Sequence, residues 1–169
     1  TATNKNSLYD SYIRASRWAS NRIGDTGIIG FVTNGGFIDA NTADGLRKTL
    51  IDENASVYIY NLRGNARTAG EQRQKERGNV FGGGARTTVS IALLVKHPDH
   101  TGPATLHYRD IGDYLTRKDK LATVDADHLA SIDWQTLTPN AAGDWINQRG
   151  DEFDAHQPLG AKEPGGIFT

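Results

Sequence analysis

The sequence predicts a wound α/β sheet that contains one antiparallel strand pair and ends in an irregular C-terminal extension. Three observations predict it. Helical periodicities alternate with short apolar runs in the order helix, strand, helix, strand, joined by short connections. The runs at 27–33 and 57–62 are the right length for strands and rich in β-branched and aromatic residues. The run at 87–96 follows its neighbour with no helical crossover, so that pair should be antiparallel.

Taken in order, Ser7 with Asp10 three residues later has the spacing of a helix N-cap. Leu8, Tyr12, Ala15 and Ala19 fall on one helical face, and Gly24 ends the helix. The run "GIIGFVT" is almost continuously apolar, the pattern of a strand covered on both faces. Asn34-Gly35-Gly36 breaks it, as a simple turn or as a βα ligand loop. A second helix starts near Asn41 or Thr42 and carries Leu46, Leu50 and Ile51 inward. After the strand at 57–62 comes a long polar stretch, 63–86, with no hydrophobic period; such a loop is functional or mobile. Leu106 and Tyr108 alternate in one more short strand, and Thr116 to Asp119 cap a short helix through Leu121. Beyond about Val124, Trp134, Pro139, Trp145, Phe153, Pro158 and Pro164 are scattered among polar residues. That texture predicts a linker leading into another domain, with one helix at about 141–153. The domain division is therefore 1–123 and 124–169.

Composition narrows the function. A net charge of -1 gives no global attraction to polyanions, so nucleic-acid binding needs a local patch. The chain has no Cys, which excludes disulfides, thiolate metal sites and a Cys nucleophile, and suits a cytoplasmic protein. No apolar run approaches membrane-spanning length. There is no Met, even at position 1, which predicts a processed product or an excised fragment, the fragment being favoured. His97 and His100 are spaced as metal ligands could be, but Pro98 lies between them and no acidic partner is placed nearby, so no metal is expected. His107, His128 and His156 are isolated, and no Ser-His-Asp arrangement occurs.

The stretch "RGNVFGGGARTTVSIALLV" holds the most informative signal. Gly82-Gly83-Gly84 invites comparison with a phosphate-binding loop, but a strand follows where a helix N-terminus is required. The 63–86 loop sets Arg63, Arg67, Arg73, Lys75, Arg77 and Arg86 against Glu71 and Glu76, six positive charges against two negative, a local net of +4. Clustered cations of this kind release counterions from a nucleic-acid backbone, although the same composition suits a solvated surface loop. Phe81 sits inside the patch, either as a plug for the core or as a ring on which a base stacks.

The succession "SLYDSYIRASRWAS", "GIIGFVTNGGFID", "LRKTLIDE", "VYIYNLRGNAR", "NVFGGGARTTVSIALLVK", "LHYRDIGDYLTRKDKL" and "LTPNAAGDWINQR" resembles the C-terminal half of the catalytic domain of gamma-class DNA adenine-N6 methyltransferases. The resemblance is to the methyltransferase region of large single-polypeptide restriction–modification enzymes, in which a nuclease and a helicase precede it. It implies a partial Rossmann-like methyltransferase sheet, S-adenosylmethionine as methyl donor and transfer to N6 of an adenine flipped out of double-stranded DNA. It also implies that the remaining methyltransferase, helicase and nuclease domains lie in the same parent chain. Matched residue by residue, "SLYDSY" implies that Leu8, Tyr9 and Tyr12 flank the cofactor adenine. "NVF" implies that Phe81 stacks on the flipped base, and "DWINQR" resembles the connection to a target-recognition domain.

Neither the Asn-Pro-Pro-Tyr tetrapeptide that holds the exocyclic amine in that family nor its glycine-rich cofactor motif occurs in these residues. The fragment is therefore expected to be inactive in isolation. An edge opened beside 27–33 is expected to uncover Ile28, Ile29, Phe31 and Val32 and to favour self-association. The alternative is a non-catalytic nucleic-acid-binding module that uses the basic 63–86 loop alone.

Overall fold

Strands Gly27–Asn34 (β1), Ser56–Arg63 (β2), Val89–Lys96 (β3), Thr105–Asp110 (β4) and Gln135–Leu137 (β5) form one open sheet in the order β1-β3-β2-β4-β5. This is a computed structural model, and it describes residues 6–148 together with Gly150 and Glu152. β2 and β4 are parallel and the other pairs antiparallel, including the β2–β3 pair expected from the missing crossover. The result is a mixed α/β sheet of partial Rossmann-like form.

Strand alternation decides which residues meet the helices. Ile29, Val57, Ile59, Ala92, Leu94, Leu106 and Tyr108 share a core with Leu50 and Ile51 of helix Asp44–Glu53 (α2). Tyr12 and Ala19 of helix Ser11–Arg22 (α1) pack against it. Complete burial of side chains such as Ile59 and Leu106 contributes about 1.5–3 kcal/mol each. A second, smaller core on the opposite side gathers Tyr60, Leu62, Val80, Val89 and Ile111.

Four expectations need correction. First, α1 begins at Ser11 with Asp10 at its cap; Ser7 lies in a 3₁₀ turn, Asn6–Tyr9, that precedes it. Second, β1 is not covered on both faces. It is an edge strand with one described neighbour, and only one of its faces meets the core: Ile29 is buried and Phe31 half-buried, while Ile28 and Val32 are exposed on the other. Consecutive strand residues point to opposite faces, so the four could not be uncovered together. Third, the 63–86 stretch is not featureless, because it contains helix Gly70–Lys75 (α3).

Fourth, no helix forms over 141–148, and the rest of that expected helix lies largely outside the described residues. The Asn140 side chain accepts from the Asp144 amide at 2.8 Å, and Gly143 adopts φ +84, so the chain turns there. Trp145 then enters the main core, edge-on to Phe37 at 6.0 Å. Arg47, fully buried, fixes this turn by donating to the Gly143 carbonyl at 2.6 Å and to Asp144 at 3.1 Å. Residues 135–146, which lie beyond the division placed at 124, thus contribute a strand and a core tryptophan to the same sheet.

Candidate nucleic-acid interface

The segment between β2 and β3 is held at three levels. At its start, β2 ends in a bulge where Arg63 takes φ +56 and its amide donates to Asn61 Oδ1 at 2.9 Å. Beneath the bulge, fully buried Lys120 donates to the Leu62 carbonyl at 2.9 Å. Burial pushes the Lys120 pKa down, and Glu76 only partly opposes the shift.

At the second level, Glu76 turns inward. Its Oε2 accepts from the amides of Gly64 at 2.9 Å and Asn65 at 3.1 Å, tying the end of α3 to the start of the loop. At the third level, Asn79 Nδ2 donates to the carbonyls of Gly64 at 3.1 Å and Thr87 at 2.9 Å, stitching the two arms together. Its Oδ1 accepts from the Phe81 amide at 3.0 Å and sets the turn that lifts the next residues.

Helix Arg117–Ala126 (α4) supports the loop from the side. Thr116 and Asp119 form a reciprocal capping box, as their spacing predicts. Gly78 lies flat on this helix start: a Cβ there would sit 2.6 Å from Leu115 O and Arg117 N, and φ is +79. Arg117 Nε donates to the Val80 carbonyl at 2.9 Å.

On this support the sequence alternatives for Phe81 separate. Val80 is the core plug, 7% exposed; Phe81 is 62% exposed at the lip of the glycine turn. Gly82, Gly83 and Gly84 take φ +63, +48 and +95, conformations that side chains rarely adopt. The triplet leads into β3 rather than a helix.

The predicted basic set divides into two groups. Arg67, Arg73, Arg77 and Arg86 are exposed. Arg63 and Lys75 are half-buried and already engaged: Arg63 donates to Asp110 Oδ1 at 2.7 Å and pairs with Asp113, and Lys75 Nζ lies 3.9 Å from Asp113. Arg73 and Arg77 line a cleft of about 340 Å³ between α3 and the glycine turn. Its other wall carries Arg117, which reading the sequence missed. The only local signal there was the capping box, which marks a helix start and says nothing of a contact 37 residues away.

The expected cofactor residues lie elsewhere, at the start of α1. Tyr9 is 76% exposed and Leu8 half-buried. Tyr12 packs on Phe37 at 6.3 Å, and burial first, then the charge of Asp10, pushes its pKa up to about 12. The apolar cavity beside Tyr12 and Phe37 has about 20 Å³, room for a water and not for an aromatic ring. Leu8 and Tyr9 can therefore offer an outer wall to a flat ligand, while Tyr12 packs against the core. His97 and His100 sit in an exposed turn after β3, and among the described residues no group of three His, Asp or Glu is placed to hold a metal.

No protein-family model matches the chain, and no curated protein matches it. Solved structures do. A nuclease-deletion mutant of the Type ISP restriction-modification enzyme LlaGI, in complex with a DNA substrate mimic, is 49% identical with a TM-score of 0.90; the match covers 100% of this chain and 16% of that one. The ATP-dependent Type ISP restriction-modification enzyme LlaBIII bound to DNA is 44% identical with a TM-score of 0.88, over 97% of this chain and 11% of that one. The DrdV–DNA complex is 34% identical with a TM-score of 0.83, over 90% and 14%. The chain thus spans a sixth or less of the length of each. Two of these neighbours are Type ISP restriction–modification enzymes, all three are in complexes with DNA or a DNA mimic, and in each the chain corresponds to one small part of a much longer polypeptide.

Proposed function

We propose that this chain is the C-terminal half of an adenine-N6 methyltransferase domain in a multidomain restriction–modification enzyme, with Phe81 as the ring on which the target adenine stacks. The observation that carries the reading is the pairing of an exposed Phe81 with a buried Val80 on a firmly held turn. Leaving a phenylalanine in water forgoes roughly 1.5–3 kcal/mol of burial. A flat partner that arrives with the substrate recovers it.

The chemistry requires such a partner. Adenine N6 is inaccessible in a stacked, paired duplex, so the nucleotide must be turned out of the helix. The extruded base loses its neighbours above and below, and an aromatic ring replaces one of them, contributing about 1–3 kcal/mol. The glycine turn leaves space at the ring for the sugar and backbone. Arg67, Arg73, Arg77 and Arg86 of the same segment are exposed and give it positive charge. S-adenosylmethionine, when bound, supplies the methyl group; Leu8 and Tyr9 are the residues of this chain that would flank its adenine, as an outer wall. Similarity along nearly all of this chain to one part of enzymes solved with DNA supports the same reading.

The test is Phe81→Ala in the full-length enzyme. Methylation of duplex DNA should fall roughly 5- to 150-fold, the kinetic equivalent of about 1–3 kcal/mol. Thermal stability should change little, because an exposed position seldom contributes more than about 0.5 kcal/mol. Phe81→Tyr should be mild. Wild-type methylation by Phe81→Ala would overturn the assignment. The non-catalytic alternative predicts instead that loss of the 63–86 cations abolishes DNA binding while Phe81→Ala is silent.

A further inference from the structure

We infer that Arg117, with Arg73 and Arg77, forms the cradle for the phosphate next to the flipped nucleotide, and that Arg63 and Lys75 take no part in it. The inference deepens the proposed role of Phe81 and rests on it for the identity of the nucleotide. Its geometry comes from the cleft between α3 and the glycine turn.

The cleft, about 340 Å³, is lined by Gly82, the residue after Phe81, and by Arg73, Arg77 and Arg117. All three residues are exposed, and none forms a salt bridge among the described residues. The one carboxylate on the wall, Glu76, is turned to the Gly64 and Asn65 amides. Three cations around one hydrogen-bonded anion leave the cleft electropositive, and three forked donors match the oxygens of a phosphodiester. Arg63 and Lys75 differ in kind, because both already face the carboxylate of Asp113.

Arg117 has a second task. Its Nε is held by the Val80 carbonyl, one residue before the ring, and the far end of the guanidinium remains available to the cleft. One side chain therefore links the phosphate seat to the turn that carries Phe81. Phosphate capture and base capture are coupled through it.

Two readouts on the full-length enzyme separate these roles. One is the salt dependence of DNA affinity, which reports phosphate contacts. The other is the emission of a duplex with 2-aminopurine at the target adenine, which reports extrusion. Arg73→Gln, Arg77→Gln and Arg117→Gln should each flatten the slope of log K against log [salt] by about 0.9. Arg117→Lys should keep the slope, having kept the charge, yet lower the 2-aminopurine signal, having lost the bond to Val80. Arg63→Gln should leave the slope unchanged. Unchanged slopes for all three glutamine variants would overturn the inference, as would a lower slope for Arg63→Gln alone. If the slopes fall as stated while Phe81→Ala leaves the 2-aminopurine signal intact, the cradle stands and the stacking role of Phe81 fails.

Discussion

Gly78→Ala should detach the Phe81 turn from its support. Gly78 has φ +79, and a methyl group there would lie 2.6 Å from Arg117 N, Leu115 O and Thr116 C. All three are backbone atoms at the start of α4, which the Thr116–Asp119 capping box holds in place, so none can swing aside. Two costs therefore add. The left-handed conformation costs an alanine about 1–2 kcal/mol. Forcing a methyl group into a closed contact costs about 1–3 kcal/mol. A total of roughly 2–5 kcal/mol lowers the melting temperature of a chain this size by about 4–20 °C. Gly83→Ala is the control: its φ is +48, but no atom lies within 4 Å of the added carbon, so only the first cost applies. Thermal unfolding followed by circular dichroism measures both. Equal melting temperatures for Gly78→Ala and Gly83→Ala would refute the claim that close contact with α4 holds the turn.

Two further predictions concern stability and association. Burial pushes the Glu53 carboxyl up, but hydrogen bonds from Arg17 and Ser20 and the charges of Arg17 and Lys96 outweigh it and hold the pKa below its ordinary value. A lowered carboxylate pKa stabilises the fold above the unfolded value of about 4.5 and loses that contribution as pH falls through the folded value. Glu53→Gln should therefore lower the melting temperature slightly at pH 6 and flatten its fall below pH 4.5; parallel acid limbs would count against it. The chain itself should self-associate through the edge of β1, where Ile28 is 69% and Val32 58% exposed on one face. Ile28→Lys with Val32→Lys should shift sedimentation equilibrium toward monomer, and a wild-type monomer at high concentration would refute the contact.

Local signals in the sequence located what local forces decide. The β-branched and aromatic runs of β2 and β3, the inward residues of α2 and the Thr116 cap all stand where their patterns place them. Misreadings arose where distant contacts overrule local pattern. A helix is expected at about 141–153, but Arg47, 96 residues before Gly143, captures that carbonyl and turns the chain into the core. β1 is apolar enough for a buried strand, and only sheet order reveals that it is an edge. For the candidate site, composition found the basic loop and left Phe81 open between a core plug and a stacking ring, which its exposure in the structure separates. It could not separate Arg63 from Arg73, because that distinction depends on Asp110 and Asp113, 47 and 50 residues further along.

The firmness of the 63–86 segment bears on how such a site would select its substrate. A polar loop with no hydrophobic period is expected to be mobile, and ordering it on DNA would cost about 1–2 kcal/mol per residue fixed. Here Glu76, Asn79 and Arg117 place hydrogen bonds on the backbone of the loop and its exit, and Lys120 bonds the Leu62 carbonyl just before its start, so most of that ordering is complete before any ligand arrives. These four side chains come from the loop and from α4. Glu76, Asn79 and Lys120 are turned toward backbone, and the outer surface is left to Phe81 and the exposed arginines, Arg117 among them. An exposed ring on a rigid mount discriminates by geometry: a base presented at another height or angle gains neither the stack nor the phosphate seat. Had the ring ridden on a flexible loop, it would have followed the base, and selection would have had to come from elsewhere.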